Sequence, residues 1–419
     1  MEAEVGRFNY IVVGLGGHGS AAAAHLSTRQ CEELHRGSVL GLEQFPRVSH
    51  NHGSSHGRSR IIRLAYFEDP RYVPLLRRSF ELWKELAESR GDGEKLLTMT
   101  GGLMIGHPDS TVVKGTLRSV ALHNLPHEVL SSAEIRRRFP AFQPPLDDEI
   151  IGILEEDAGY LVPELCVQAH CAVAEENGAE LHYEEALVSW ELLEDGSGVR
   201  VTTNKAVYTA DKIVLAVGAW APEVYGKSLE SSGGMRLHAS RRVLYWFNPT
   251  TEAEEERVDG LAQFRGIPVY IWDLGEGKGN FYGFPHQAGG QPGGVKVAMH
   301  YVSPTIQTEC TPDTIDRVVS DAEVETMRSV LKDRMPKLAG DLISTATCMY
   351  TNTPDEHFLI DWHPSSQQKV LLASACSGHG FKFCSVVGEI VSQLLVEGQT
   401  SMDISLFLLR KCRRLRRDA

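Results

Sequence analysis

A chain of 419 residues exceeds one ordinary core, so two domains, or one large domain with a substantial subdomain and a site between them, are expected. Its 42% hydrophobic and 23% charged residues, with 39 Gly and 19 Pro, exclude disordered and fibrous classes. A net charge of −13 excludes nucleic acid as the main partner, because phosphate binding needs a concentrated positive surface.

No apolar run is long enough to span a bilayer, and the opening MEAEVGRF lacks the basic flank and cleavage site of a secretory signal. An intracellular protein without a membrane partner is expected. The eight cysteines, at 31, 166, 171, 310, 348, 376, 384 and 412, show neither a C-x-x-C pair nor a C/H finger spacing. Neither zinc nor a disulfide framework is indicated, and most of the eight read as small buried hydrophobes.

In chain order, FNYIVVGLGGHGSAAAAHL predicts a strand over residues 8–13, a glycine turn and an Ala-rich helix, and SVLGLEQF predicts a second strand carrying Glu43. Gly14, Gly16 and Gly19 fit G-x-G-x-x-G, which lets backbone and helix N-terminus approach a pyrophosphate, and Glu43 is spaced for ribose hydroxyls. A dinucleotide site is the reading, with a purely structural glycine turn as the alternative. The next loop, SHNHGSSHGRSRIIRLAY, combines His50, His52 and His56 with Arg58, Arg60 and Arg63. The arginines would repel a cation, so the loop suits an anion better than a metal, unless it is only a solvated basic loop.

Tyr72, Leu75, Leu76, Phe80, Trp83 and Leu86 recur at helical spacing between an Asp69 cap and Gly91, a stripe that reads as core packing. A further helix is predicted from Pro163 to Gly178, then strands near 180–193 and 199–208 around the turn EDGSG, and the strand KIVLAVGAW. Lys296 and His300 lie an even distance apart, so on a strand they share a face. The end of the chain supplies the strand KVLLASA, the glycine loop CSGHGFKF with Lys382, and the helix SVVGEIVSQLLVEG. Strand-helix-strand units thus flank two turn-rich stretches. The expected division is a discontinuous dinucleotide-binding domain of residues 1–90, 150–222 and 335–419, with a second domain of residues 91–149 and 223–334. The basic tail RKCRRLRRDA reads as a solvated terminus, with a targeting or anionic-surface contact as alternatives, and it is not an S-K-L type address.

Taken together, the glycine fingerprint, GSSHGRSRIIRLAY, GAW at 218–220, YGFP at 282–285 followed by Lys296 and His300, CMYTNTPDEHF and SGHGFKF resemble one family along nearly the whole chain. It is the monomeric sarcosine oxidase and pipecolate oxidase group of amine-oxidising flavoproteins, which also contains N-methyltryptophan and fructosyl-amino-acid oxidases. The resemblance implies an α/β fold: an FAD-binding Rossmann-like domain of the glutathione-reductase type, with an inserted α+β substrate domain built on an antiparallel sheet. It implies oxidation of a secondary amino acid such as sarcosine, with O2 reduced to hydrogen peroxide. L-pipecolate, L-proline or a fructosyl-amino acid are alternative substrates, and a flavin-binding protein without oxidase turnover is the rival.

Position by position, the resemblance implies that Cys348 carries FAD through an 8α-S-cysteinyl link, with Gly14, Gly16, Gly19, Glu43, Gly378 and Gly380 around the cofactor. Arg63 and Lys382 are implied to hold the substrate carboxylate, with Tyr350 beside the Cys348 tether and Tyr66 at the amine end of the substrate pocket. His56 and Arg60 are implied to pack around the flavin ring, Lys296 to activate oxygen, and His300 and Tyr282 to line the amine end. No metal, a monomer and a cytoplasmic location are expected, with the peroxisome as alternative. Ser55-His56 stands where bacterial sarcosine oxidases carry paired histidines, and SSHG is closer to the pipecolate-oxidising members. Ile271 and Trp272 fall where the pocket wall is expected and are not diagnostic.

Overall fold

The computed structural model describes residues 4–32, 38–91, 95–146, 149–231, 234–250, 261–301, 308–374 and 376–409. The basic tail from 410, with Cys412, lies outside these residues. So does most of the insertion CEELHRGS, of which residues 33–37 fall outside.

The first strand runs over Glu4–Val13, and its apolar half, Phe8 and Ile11 to Val13, is buried on both faces, which is the requirement of a parallel sheet covered on both sides. It pairs in parallel with Val39–Leu42 on one edge and Val207–Leu215 on the other; Glu180–His182 and Val370–Leu372 extend the sheet outward. Helices Gly17–Glu32, Pro163–Glu176 and Cys384–Glu397 contribute to one core cluster on this sheet. Their close approach depends on small residues: a Cβ on Gly388 would stand 2.6 Å from the Ala21 carbonyl carbon.

The strand predicted near 180–193 is two elements. Glu180–His182 joins the parallel sheet, while Leu187–Leu192 pairs antiparallel with Val199–Thr203. The break falls at Glu184, whose φ of 55° turns the chain through the left-handed region. The strand predicted at KIVLAVGAW starts earlier, at Val207, and ends at Leu215; GAW forms a short 3-10 turn.

The second sheet centres on His238–Phe247, which pairs along its length with Leu342–Asn352 and over its two halves with Val295–Tyr301 and Glu309–Cys310. It continues through Asn280–Gly283, Val269–Asp273, Gly102–Gly106, Ile151–Glu155 and Glu128–Ser131. Every pair is antiparallel except Val269–Asp273 with Gly102–Gly106, so the sheet is mixed where a purely antiparallel one is expected. Leu342–Asn352 and Ile151–Glu155 pair here although they lie in stretches expected for the dinucleotide domain; strand partners, not sequence neighbourhood, decide membership. A small third sheet has Arg60–Arg63 and Leu97–Met99 on either side of Ala158–Leu161, and Asp361–Trp362 pairs antiparallel with Val370–Leu372 in the first sheet.

The predicted stripe is a helix over Val73–Arg90, and Asp69 caps the 3-10 turn that leads into it by accepting from Arg71 N at 2.8 Å. Gly91, at φ 65°, ends it. Each fully buried large apolar side chain of such a stripe contributes about 1.5–3 kcal/mol. Among the described residues no helix is long and apolar enough to cross a membrane.

Candidate active site

A cavity of about 290 Å³ runs from the glycine turn to the second sheet. At its first end, the three glycines do three different jobs. Gly14 sits at φ 88°, and a Cβ there would stand 2.7 Å from the Ala216 carbonyl oxygen. Gly19 lies under the turn, where a Cβ would come within 1.7 Å of Gly14 O, so only glycine lets the helix close on the strand. Gly16 faces the cavity: its nearest neighbour to an added Cβ is Ser55 Oγ at 3.5 Å, which leaves space for a ligand to approach the backbone. Glu43, just past its strand, accepts Leu15 N at 3.0 Å and Phe45 N at 3.1 Å. Oε2 keeps a lone pair for a hydroxyl, while Oε1 also has His50 Nε2 at 3.5 Å.

The loop after Glu43 is tied to the rest of the site by acceptors and donors from elsewhere. Glu164, in the first turn of its helix, accepts Gly57 N at 2.7 Å and Arg58 N at 3.1 Å. Ser55 Oγ accepts Gly17 N at 3.0 Å, and Ser54 Oγ donates to Met349 O at 2.6 Å. Of the loop histidines, His52 stacks on Phe45 with ring centres 4.3 Å apart, and His50 Nδ1 accepts His52 N at 3.2 Å. Among the described residues no His, Cys, Asp and Glu cluster could hold a metal.

The middle of the cavity is walled by Arg60, Leu244 and Cys348. Cys348 is 3% exposed, and its Sγ receives Arg60 Nη2 at 3.6 Å. Tyr350, two residues along the same strand, also lines the cavity, as do Met349 and Thr351. Its hydroxyl is 3.0 Å from His300 Nδ1, and Arg242 lies 4.7 Å over its ring. Tyr282 and Ile271, cross-strand partners, line the same wall.

Arg63 and Lys382 also line the cavity, and both lie over the Tyr66 ring, 4.3 and 5.1 Å from its centre. Arg63 donates through Nη1 to Ala65 O at 2.8 Å and through Nη2 to both oxygens of Glu68, at 2.9 and 2.7 Å. Burial alone would raise the Glu68 carboxyl, but Arg63 beside it holds it at about 2. Lys382, 7% exposed, donates to His379 O at 2.7 Å and reaches Tyr66 OH at 3.4 Å. Its third proton is left for a ligand. Burial, with Arg63 adding repulsion, brings its ammonium down to about 7. The Tyr66 hydroxyl is 2.6 Å from His379 Nδ1. Trp83 Nε1 and Ser79 Oγ fix the Lys382 carbonyl, so the packing stripe of the helix also holds the lysine. Gly378, at φ 79°, lets the loop lie against Tyr350, where a Cβ would come within 2.2 Å of the ring; Gly380 makes the same room beside Cys376.

The cavity therefore brings together Gly14, Gly16, Glu43, Arg60, Arg63, Tyr282, His300, Cys348, Tyr350, Gly378, Gly380 and Lys382 from the residues read in the sequence. Gly19, His56, Tyr66 and Lys296 do not line it. His56 bonds back to Gly53 O at 3.1 Å and is held neutral, at about 3, by burial and by Arg60. Lys296 donates to Gly57 O at 2.6 Å and Ser59 O at 2.9 Å, on a separate small pocket lined also by Trp246 and Phe284. Burial, then Arg60, pushes its ammonium well below the ordinary lysine value.

The family profile described as "FAD dependent oxidoreductase" matches residues 9–394. The chain belongs to this family.

As an FAD-dependent oxidoreductase it is 46% identical over 402 residues to monomeric sarcosine oxidase of Streptomyces avermitilis, covering 96% of each chain. It is 35% identical over 408 residues to monomeric sarcosine oxidase of Bacillus sp. (strain B-0618), again covering 96% of each. Among solved structures, the open form of NikD, an unusual amino acid oxidase, superposes with a TM-score of 0.79 at 23% identity, covering 97% of this chain and 98% of that one, a likeness of fold. The residues fit the cofactor the family name prints. An open glycine backbone at Gly16 and a helix N-terminus at one end suit a pyrophosphate, and Glu43 suits ribose hydroxyls.

Three site residues escaped the sequence reading, Glu68, Glu164 and His379, and Ser55 was read only as a departure from paired histidines. Glu68 follows the arginine motif by only five positions, and an acid that close to Arg63 was a usable signal. Glu164, His379 and Ser55 act through contacts with distant segments, which no local pattern reports.

Proposed function

We propose that this oxidoreductase oxidises a small secondary amino acid, sarcosine first, to its imine, with O2 reduced to hydrogen peroxide. The observation that carries the reading is that two buried cations, Arg63 and Lys382, line the same cavity as the glycine turn and Glu43, residues that suit a dinucleotide. FAD, when bound, accepts a hydride equivalent from the carbon next to nitrogen and passes two electrons to O2. Arg63 offers a planar fork and Lys382 a point charge to the substrate carboxylate. Because Glu68 occupies the Arg63 fork in the ligand-free site, the carboxylate has to displace or share it. Fixing the acid end leaves the amine among His300, Tyr282 and Tyr350. Burial keeps His300 neutral, at about 3, so it adds no charge repelling an ammonium and can accept a proton bond. Holding both ends of a small substrate against the reacting face turns chemistry into a positioned, nearly unimolecular event.

Three further roles belong to the same proposal. Cys348, at the cavity wall, is the tether of FAD. Lys296, held against the carbonyls of residues 57 and 59, supplies a positive charge for oxygen reduction in its protonated form, which developing negative charge on oxygen favours. The enzyme acts as a monomer, in keeping with a complete cavity built from one chain. The test is a peroxide assay with sarcosine, L-pipecolate, L-proline and a fructosyl-amino acid. Peroxide in step with amine consumed, fastest with sarcosine, is expected; a rate led by L-pipecolate reassigns the substrate. No peroxide with any of them leaves the rival, a flavin-binding protein without oxidase turnover.

A further inference from the structure

The buried carboxylate of Glu155 lies outside the cavity and outside every role assigned above. It closes the strand Ile151–Glu155 of the second sheet and is 2% exposed. Its Oε2 accepts two consecutive amides, Leu64 N at 3.2 Å and Ala65 N at 2.9 Å, in the turn that follows Arg63. The carbonyl of that same Ala65 accepts Arg63 Nη1 at 2.8 Å. One residue is therefore gripped on its N–H by Glu155 and on its C=O by Arg63, and three residues later Glu68 takes the other edge of the guanidinium.

We propose that Glu155 is a positioning residue for the carboxylate clamp: it ties the turn after Arg63 to the second sheet and thereby sets the aim of Arg63 into the cavity. The inference rests on the reading of Arg63 as a carboxylate holder. The surroundings leave the side chain no other post. A Cβ on Gly102, its cross-strand partner, would clash with Ala158 Cβ at 2.7 Å and stand at ordinary contact distance from Glu155 Cγ and Oε1, 3.5 and 3.6 Å, so the carboxylate packs close beside this strand. Glu155 Oε1 and Arg63 Nε are both buried without a hydrogen-bond partner among the described residues. An unsatisfied buried oxygen is costly, and the two-amide grip on Oε2 is what the arrangement gains in return. Burial raises the carboxyl to about 7, with Arg63 opposing and Asp157 adding to the shift. Protonated or not, Oε2 still accepts, so the grip depends on the acceptor's reach rather than on its charge.

That distinction selects the variants. Glu155→Gln keeps the acceptor and length; Glu155→Asp keeps the charge but cannot reach; Glu155→Ala removes both. On the FAD-loaded protein, Kd for propionate, a carboxylate without an amine, is read from the flavin spectrum. KM and kcat for sarcosine and hydrogen exchange of the 64–66 amides are measured beside it. Expected are wild-type values within threefold for Gln. For Asp and Ala, Kd and KM rise tenfold or more, kcat stays within threefold, and the amides exchange faster. Asp serves if the Ala variant does not fold. The proposal is overturned if Asp binds propionate within twofold of wild type, or if Gln is as impaired as Asp. Faster exchange with an unchanged Kd overturns it too, because the turn would then be loosened without moving the aim. If wild type itself binds no propionate while the exchange pattern holds, the reading of Arg63 as the clamp fails and the tie to the second sheet stands.

Discussion

Replacing Lys382 by Met keeps length and burial and removes one charge from the clamp. Burial brings the Lys382 ammonium from its ordinary 10.5 down to about 7, so carrying the charge in the ligand-free site costs about 5 kcal/mol. A bound carboxylate offsets that cost, which makes anion binding proton-linked. Below about pH 7 the lysine is already charged and binding is strongest. Above it, each pH unit costs about tenfold in affinity until the lysine in the complex also loses its proton. Truncating one partner of a buried charge pair removes about 2–5 kcal/mol, so at pH 6 the Met variant should bind propionate at least about 30-fold more weakly. The assay is a flavin-spectrum titration with propionate from pH 6 to 9, in wild type and variant. Glu155, which also titrates near 7, is common to both proteins, so the difference in slope belongs to Lys382. Equal affinity at pH 6, or the same slope in both, would refute the argument.

Lys296→Met removes the ammonium held against Gly57 O and Ser59 O. Peroxide formation should fall by orders of magnitude while anaerobic reduction by substrate survives; unchanged aerobic turnover sinks the oxygen-side role. Cys348→Ala should leave a colourless pellet after acid precipitation where wild type gives a yellow one, and two colourless pellets remove the tether. Gly19→Ala drives a Cβ to 1.7 Å from Gly14 O, an overpacking of about 3 kcal/mol or more. It should lower Tm and FAD retention together; a variant with wild-type Tm and FAD content contradicts the reading of the turn.

Local patterns carried the parts of the fold whose causes are local. The glycine turn was legible because each glycine answers a nearby steric demand, and the helix of residues 73–90 because its stripe, Asp69 and Gly91 all speak for the same element. The strand Leu342–Asn352 was not assignable to a sheet, because its partner His238–Phe247 lies about a hundred residues away. Lys296 and His300 do lie on one strand, yet one ammonium turns to loop carbonyls while the other side chain meets Tyr350, a division made by the loop over residues 57–59. Arg63 was readable as part of an anion-suited loop, and its pairing with Lys382 from resemblance alone. Of their companions, Glu68 had a usable signal in its nearness to Arg63, while Glu155, about ninety residues on, is marked only by what it touches.

The most direct test of the account mixes the FAD-loaded protein with sarcosine under nitrogen and follows the visible flavin band, then admits oxygen. The account predicts bleaching on mixing, full return in air and one hydrogen peroxide per amine consumed. A band unchanged by sarcosine, L-pipecolate and L-proline alike would contradict it.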